Sequence, residues 1–184
     1  MPCFLYGQAK YDYNWILGYP SGWGIDSTSI FNGTLFDFNK KPVSIELFTI
    51  KLEMNPNTAI SDEKGSLLFY SNGCEVANKH HDIMENGTEI NEGGLTYELN
   101  CLSDPNYFGG YGHTGQGMIT LPYPGSSKKY AIFHLHKPGN DIKGKNLLIT
   151  TVDMNKQGGL GEVVSKNLPI HFDRSEERRV GKEC

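Results

Sequence analysis

No apolar run in this chain extends beyond a few residues, so no segment is long enough to cross a bilayer as a helix. Positive charge is also sparse: 17 Lys and Arg stand against 21 Asp and Glu, a formal net charge of −4 at pH 7. Phosphate neutralisation needs a localised basic face, and without one nucleic acid is excluded as a partner. No stretch of ten or more residues keeps a helical stripe, which leaves little room for α-helix. A Gly-x-Ser-x-Gly elbow is absent, and no spacing of Ser, His and Asp assembles a catalytic triad. No catalytic residue, cofactor or metal is therefore assigned from motif.

The chain has 22 Gly, 10 Tyr and 9 Phe, the composition that short strands joined by tight turns require. Its two ends stand apart from that pattern. The last eleven residues, Arg174 to Cys184, resemble the translated read-through of a common DNA-sequencing adapter, and the composition breaks after Asp173. That reading makes 174–184 a non-native tail on a truncated frame and takes the net charge to −5, since the tail carries one more base than acid. At the other end, residues 1–9 read as the remnant of a secretory signal, with small residues at Gly7 and Ala9. Residues 10–173 then form the folded portion. An exported chain places Cys74 and Cys101 in an oxidising compartment, where a bond closing a loop of that size adds about 3 kcal/mol. Spacing alone leaves two buried free thiols equally open.

The densest structural signal lies at 61–78. Asp62 and Gly65 carry turn chemistry, the apolar run from Leu67 to Tyr70 follows, and Asn72-Gly73 repeats the turn signal. Strands are predicted at 13–17, 34–38, 44–53, 58–61, 66–71, 75–78, 117–121, 129–136, 146–153 and 162–165, with Gly, Asn, Asp or Pro in nearly every gap. Both faces of 44–53 are partly apolar, so it is expected between two sheets. The segment 86–115 is the least regular and reads as a long loop tied down at Cys101. From Gly117 onward four strands follow one another as a meander, the pattern of one propeller blade, and 58–78 reads as strands of an earlier one. The fold class is all-β: antiparallel meanders forming part of an incomplete β-propeller.

Four pieces in order carry a family resemblance. Ser61 to Gly73 with Ile83 to Gly87, Asn14-Trp15 with Leu17-Gly18, the strand-turn-strand from Gly117 to Phe133, and Val152-Asp153-Met154 with Gly158 to Val163 together resemble large secreted propeller-like, WD-repeat-like proteins of Bacteroidetes. The resemblance spans about residues 13 to 168. It implies export through the periplasm to the cell surface or beyond, by the type IX route associated with gliding motility. It also implies a native chain continuing into further blades and a C-terminal sorting domain. The activity it implies is non-enzymatic: a binding or scaffold module for a protein or glycan. A propeller hydrolase or lyase acting on polysaccharide or peptide, and a periplasmic sensor domain, are the alternatives.

Three groups of residues carry candidate chemistry. Tyr107, Phe108 and Tyr111 lie in the irregular segment as an exposed aromatic patch on which sugar rings or peptides would stack. The aromatic cluster Tyr11, Tyr13, Trp15, Tyr19 and Trp23 reads instead as packing. His134 and His136 put two imidazoles on one face of a strand, a spacing zinc sites use when a third ligand comes from elsewhere; a solvent-facing pair is the plainer reading. The stretch from Gly110 to Gly115 matches a dinucleotide fingerprint in letters only, because a strand rather than a helix follows it.

Overall fold

The structure is a computed structural model that describes residues 9–22, 31–102, 109–111, 117–137 and 146–170. Its strands form three antiparallel meanders in chain order. Sheet I contains β1 (Asn14–Gly18), β2 (Gly33–Asp37) and β3 (Ser44–Phe48). Sheet II contains β4 (Thr58–Ser61), β5 (Leu67–Ser71) and β6 (Val76–Asn78), and sheet III contains β7 (Met118–Pro122), β8 (Lys129–His136), β9 (Asn146–Asp153) and β10 (Glu162–Pro169). One helix, α1 (Leu95–Cys101), lies in the segment expected to be loop.

Turn chemistry sets the hairpins. Asp62 Oδ1 accepts from the Lys64 and Ser66 amides at 2.9 Å each, and Gly65 supplies the positive φ of 91° that closes the β4–β5 turn. The β5–β6 turn repeats the device: Asn72 Oδ1 accepts from Cys74 N at 3.0 Å and Glu75 N at 2.9 Å, and Gly73 takes φ 82°.

Alternation along sheet II explains how the sheets stack. Ile60, Phe69 and Val76 face sheet III, where they pack with Tyr130, Ile132, Val152 and Val163. Tyr70 and Ala77 face the other way, onto Ile16, Ile50, Leu52 and Met54 on the sheet I side. Sheet II is thus covered on both faces, as period-two side chains allow. The first strands of the three sheets run beside one another, β1 next to β4 and β4 next to β7. Asn14 Nδ2 donates to Ser61 Oγ (2.8 Å) and the Gly65 carbonyl (2.6 Å) across the first junction. Thr58 Oγ1 bonds both Oγ1 and N of Thr120 at 3.0 Å across the second.

The expectation for 44–53 is corrected. β3 ends at Phe48 and forms the edge of sheet I, with Ile45 64 % and Leu47 73 % exposed rather than held between sheets. Ile50 leaves the ladder because Ser21 satisfies its backbone: Ile50 N donates to Ser21 Oγ at 2.8 Å, and its carbonyl accepts from Ser21 N at 2.7 Å. That detour drops Ile50 and Leu52 into the core. Strand β10 runs past its expected end, because two register shifts, between Val163 and Ser165 and between Ser165 and Leu168, break the apolar alternation without ending the pairing.

Candidate functional site

One end of the stack gathers most of the residues singled out from the sequence. Cys74 follows directly on the Asn72-Gly73 turn and is bonded to Cys101 at the end of α1, across a Cα separation of 5.5 Å. The disulfide fixes α1 to the β5–β6 hairpin, and Cys74, Cys101, Tyr97 and Tyr111 form a small buried cluster. Asn72 then anchors the next part of the chain, its carbonyl accepting from Tyr111 N at 3.0 Å and its Nδ2 donating to the Gly109 carbonyl at 2.9 Å. A Cβ at Gly73 would come within 2.9 Å of Tyr111 Cβ and Met118 Cε, so glycine is required there for space as well as for φ.

Tyr111 is not part of an exposed patch. Its ring is buried, its hydroxyl donates to the Lys137 carbonyl at 3.1 Å and accepts from Lys137 N at 2.8 Å, and burial pushes its pKa up. It holds the end of β8 and lies tilted against His136, with ring centroids 6.2 Å apart. Tyr107 and Phe108 lie outside the described residues, as does Trp23. Within the N-terminal aromatic cluster, Trp15 and Tyr19 are exposed while Tyr11 and Tyr13 are half-buried, so packing accounts for only part of it.

His134 is buried on the central strand β8 with both ring nitrogens engaged, Nδ1 with Asn91 Oδ1 at 2.7 Å and Nε2 with Thr150 Oγ1 at 2.9 Å. Burial first, and the neighbouring His136 second, lower its pKa to about 4, so it is neutral. A neutral imidazole donates through one nitrogen and accepts through the other, and these two partners occupy both. The histidine pair is therefore not a solvent-facing pair, and His134 has no nitrogen to offer a metal. Among the described residues no three His, Cys, Asp or Glu side chains come together as a metal cluster.

The hydrogen bonds of His134 continue through the loop after β6. Asn91 Nδ2 donates to the Gly73 carbonyl at 3.1 Å, Asn91 N to Asn167 Oδ1 at 2.9 Å, and Asn167 Nδ2 to the Glu89 carbonyl at 2.8 Å. Glu89, Asn91 and Asn167 all take the left-handed conformation, with φ of 60°, 61° and 58°. Such φ values are uncommon outside glycine, and the shared hydrogen bonds hold them. Beside them Glu75 is 3 % exposed and its Oε2 has no hydrogen-bond partner among the described residues. Burial, reinforced by the charge of Glu89, raises its pKa to about 8, against the weaker opposing pull of Lys166. Tyr97 is pushed up to about 12 by burial and by Glu75, Glu89 and Glu92.

The described residues of this end thus include a neutral histidine held by two hydrogen bonds, a buried carboxyl whose pKa is raised to about 8, and a disulfide. The sequence left the Cys74–Cys101 bond open beside two free thiols and singled out His134 for a metal or for solvent, neither of which it meets; it gave no sign of Glu75, Asn91, Thr150 and Asn167, whose only local signal is their residue type. Compared with protein-family models, curated proteins and solved structures, the chain matches none of them.

Proposed function

We propose that the chain is a non-enzymatic binding or scaffold module of an exported protein, built as part of a β-propeller-like array and working at the cell surface or beyond. The observation that carries this reading is the order of the sheets. Three consecutive meanders stack in sequence, their first strands run side by side, and the middle sheet is covered on both faces. Stacked meanders of this kind place their loops at the ends of a rigid body, where partners are held. The Cys74–Cys101 bond supports an oxidising compartment. It also fixes one end of the segment carrying Tyr107 and Phe108, and the buried Tyr111 fixes the other, so that segment is the proposed contact with a protein or glycan. No helix among the described residues is long and apolar enough to span a membrane. Glycan-array binding and retention on cell-surface extracts test the proposal: the chain should be retained on at least one, and retention on none would count against it.

A further inference from the structure

Asn-Gly is the dipeptide most prone to deamidation, because glycine has no side chain to keep its amide nitrogen from the asparagine carbonyl carbon. It occurs here at 32–33, 72–73 and 86–87, and the last two stand where the fold is fastened. The structure treats those two differently. Asn72 is fully buried, its Oδ1 accepts from the Cys74 and Glu75 amides, its Nδ2 donates to the Gly109 carbonyl, and Gly73 N donates to Ser71 Oγ at 3.1 Å. The disulfide at Cys74 braces the same turn. Asn86 is exposed among the described residues and fastens the loop after β6 to sheet III. Its Nδ2 donates to the Val163 carbonyl on β10 at 2.7 Å, beside the bond from Val163 N to the Glu85 carbonyl at 3.0 Å and the bridge between Glu85 and Glu162. This joint requires the labile pair. Asn86 has a φ of 57°, a left-handed conformation that asparagine tolerates better than most residues. A Cβ at Gly87 would come within 2.8 Å of the Met84 and Val76 carbonyl oxygens, so only glycine fits. While the joint is closed both nitrogens of the reaction are engaged, Nδ2 with Val163 and Gly87 N with the Met84 carbonyl at 2.8 Å.

From this geometry we propose that Asn86 is a deamidation site gated by the joint between the β6 loop and β10, and that its conversion leaves the joint unfastened. When the joint opens, Gly87 N loses its proton to solvent base and bonds to Asn86 Cγ. The Cγ–Nδ2 bond breaks, Nδ2 takes up a proton and leaves as ammonia, and water opens the resulting succinimide to aspartate or isoaspartate. Asparagine and water thus become a carboxylic acid and ammonia, with no change of oxidation state. The new carboxylate only accepts hydrogen bonds, so the Val163 carbonyl loses its donor and faces a negative charge instead. Isoaspartate also adds a backbone carbon to the turn and displaces Gly87 from its tight fit against Met84 and Val76.

Ageing of the full chain in mildly alkaline buffer, with the disulfide intact, tests this by peptide mapping at Asn72 and Asn86, isoaspartate being resolved from aspartate by mass spectrometry. In the reduced chain unfolded in urea both dipeptides convert at comparable rates. In the folded chain Asn72 stays intact, while Asn86 converts about tenfold or more slowly than when unfolded, the protection that a local opening step imposes. Lys166→Ala removes the ammonium that donates to the Thr88 carbonyl at 3.1 Å, next to Gly87, and should speed conversion at Asn86 alone. Asn86→Asp, one of the two products, should keep the wild-type circular dichroism spectrum and melt at a lower temperature. Conversion of Asn86 in the folded chain at the unfolded rate, or none there at all, would overturn the proposal. So would a Lys166 variant that ages like the wild type or speeds both sites alike, since global unfolding rather than the joint would then set the rate. An Asn86→Asp variant as stable as the wild type would remove the claim that conversion unfastens the joint.

Discussion

Glu75 places a carboxyl group in the buried interior. Its carboxyl is buried beside Glu89, Lys166 and Tyr97, with one oxygen unpartnered among the described residues, and its pKa is raised from 4.5 to about 8. The folded state therefore binds a proton that the unfolded chain releases near pH 4.5. Stability falls as pH rises between those two values, levels off above about 8, and the total loss is on the order of a few kcal/mol. Thermal melts across that range should show this slope in the wild type, and Glu75→Gln, which stays neutral, should flatten it. Equal slopes in the two proteins would remove Glu75 from the account. His134 makes a second case at this scale. His134→Leu leaves Asn91 and Thr150 without their shared partner, and a loss of about 2–4 kcal/mol is expected in denaturant unfolding. The strand position of His134 was legible from its alternation in β8. Its partners were not, because Asn91 is 43 residues away and reaches it through a loop in which left-handed Glu89 has no sequence signature and left-handed Asn91 only the general tolerance of Asn for that region.

At the scale of elements, turns were the readable part. Asp62 with Gly65 and Asn72 with Gly73 form the hairpin turns that their residue types require, and the four-strand meander after Gly117 pairs in the order its punctuation implied. The misreadings share a physical cause, a partner distant in sequence. Ser21 ends β3 by bonding Ile50, so an apolar run that looked like one long strand is an edge strand followed by a core loop. The helix α1 has seven residues, of which Leu95 and Leu99 are exposed, and its place is fixed by the disulfide and by Tyr97 rather than by a periodic apolar stripe. The Cys74–Cys101 bond closes a 27-residue separation, and its reduction is expected to cost about 3–4 kcal/mol of stability. Unfolding in urea with and without reductant reads this directly, and a midpoint indifferent to reductant would contradict it.

For the whole molecule, stability should be concentrated in the sheet with two covered faces. Phe69 is fully buried between sheets II and III, and Phe69→Ala is expected to cost about 3–5 kcal/mol. Leu99→Ala, on the exposed side of α1, should stay within about 0.5 kcal/mol. Hydrogen exchange should rank the sheets in the same way, with β5 amides slowest and those of the β3 edge fast. The stacking order was only partly legible: period-two alternation gave each strand its faces, while the two-sided burial of sheet II depends on contacts between segments far apart in the chain. The all-β class and the antiparallel meanders follow from the residues. The family resemblance adds export, surface location and propeller architecture, and these stand as proposals.

The central proposal is that this disulfide-braced stack is a binding module and that Tyr107 and Phe108 contribute to its contact with a surface partner. The measurement that tests it most directly is retention on the glycan array and cell-surface extracts, read for the wild type beside a Tyr107→Ala/Phe108→Ala double variant. The account predicts that the wild type is retained and that the double variant loses about tenfold or more in affinity, the weight of aromatic anchors in a binding site, while its melting temperature is unchanged. A wild type retained nowhere, or a double variant retained as well as the wild type, would contradict it.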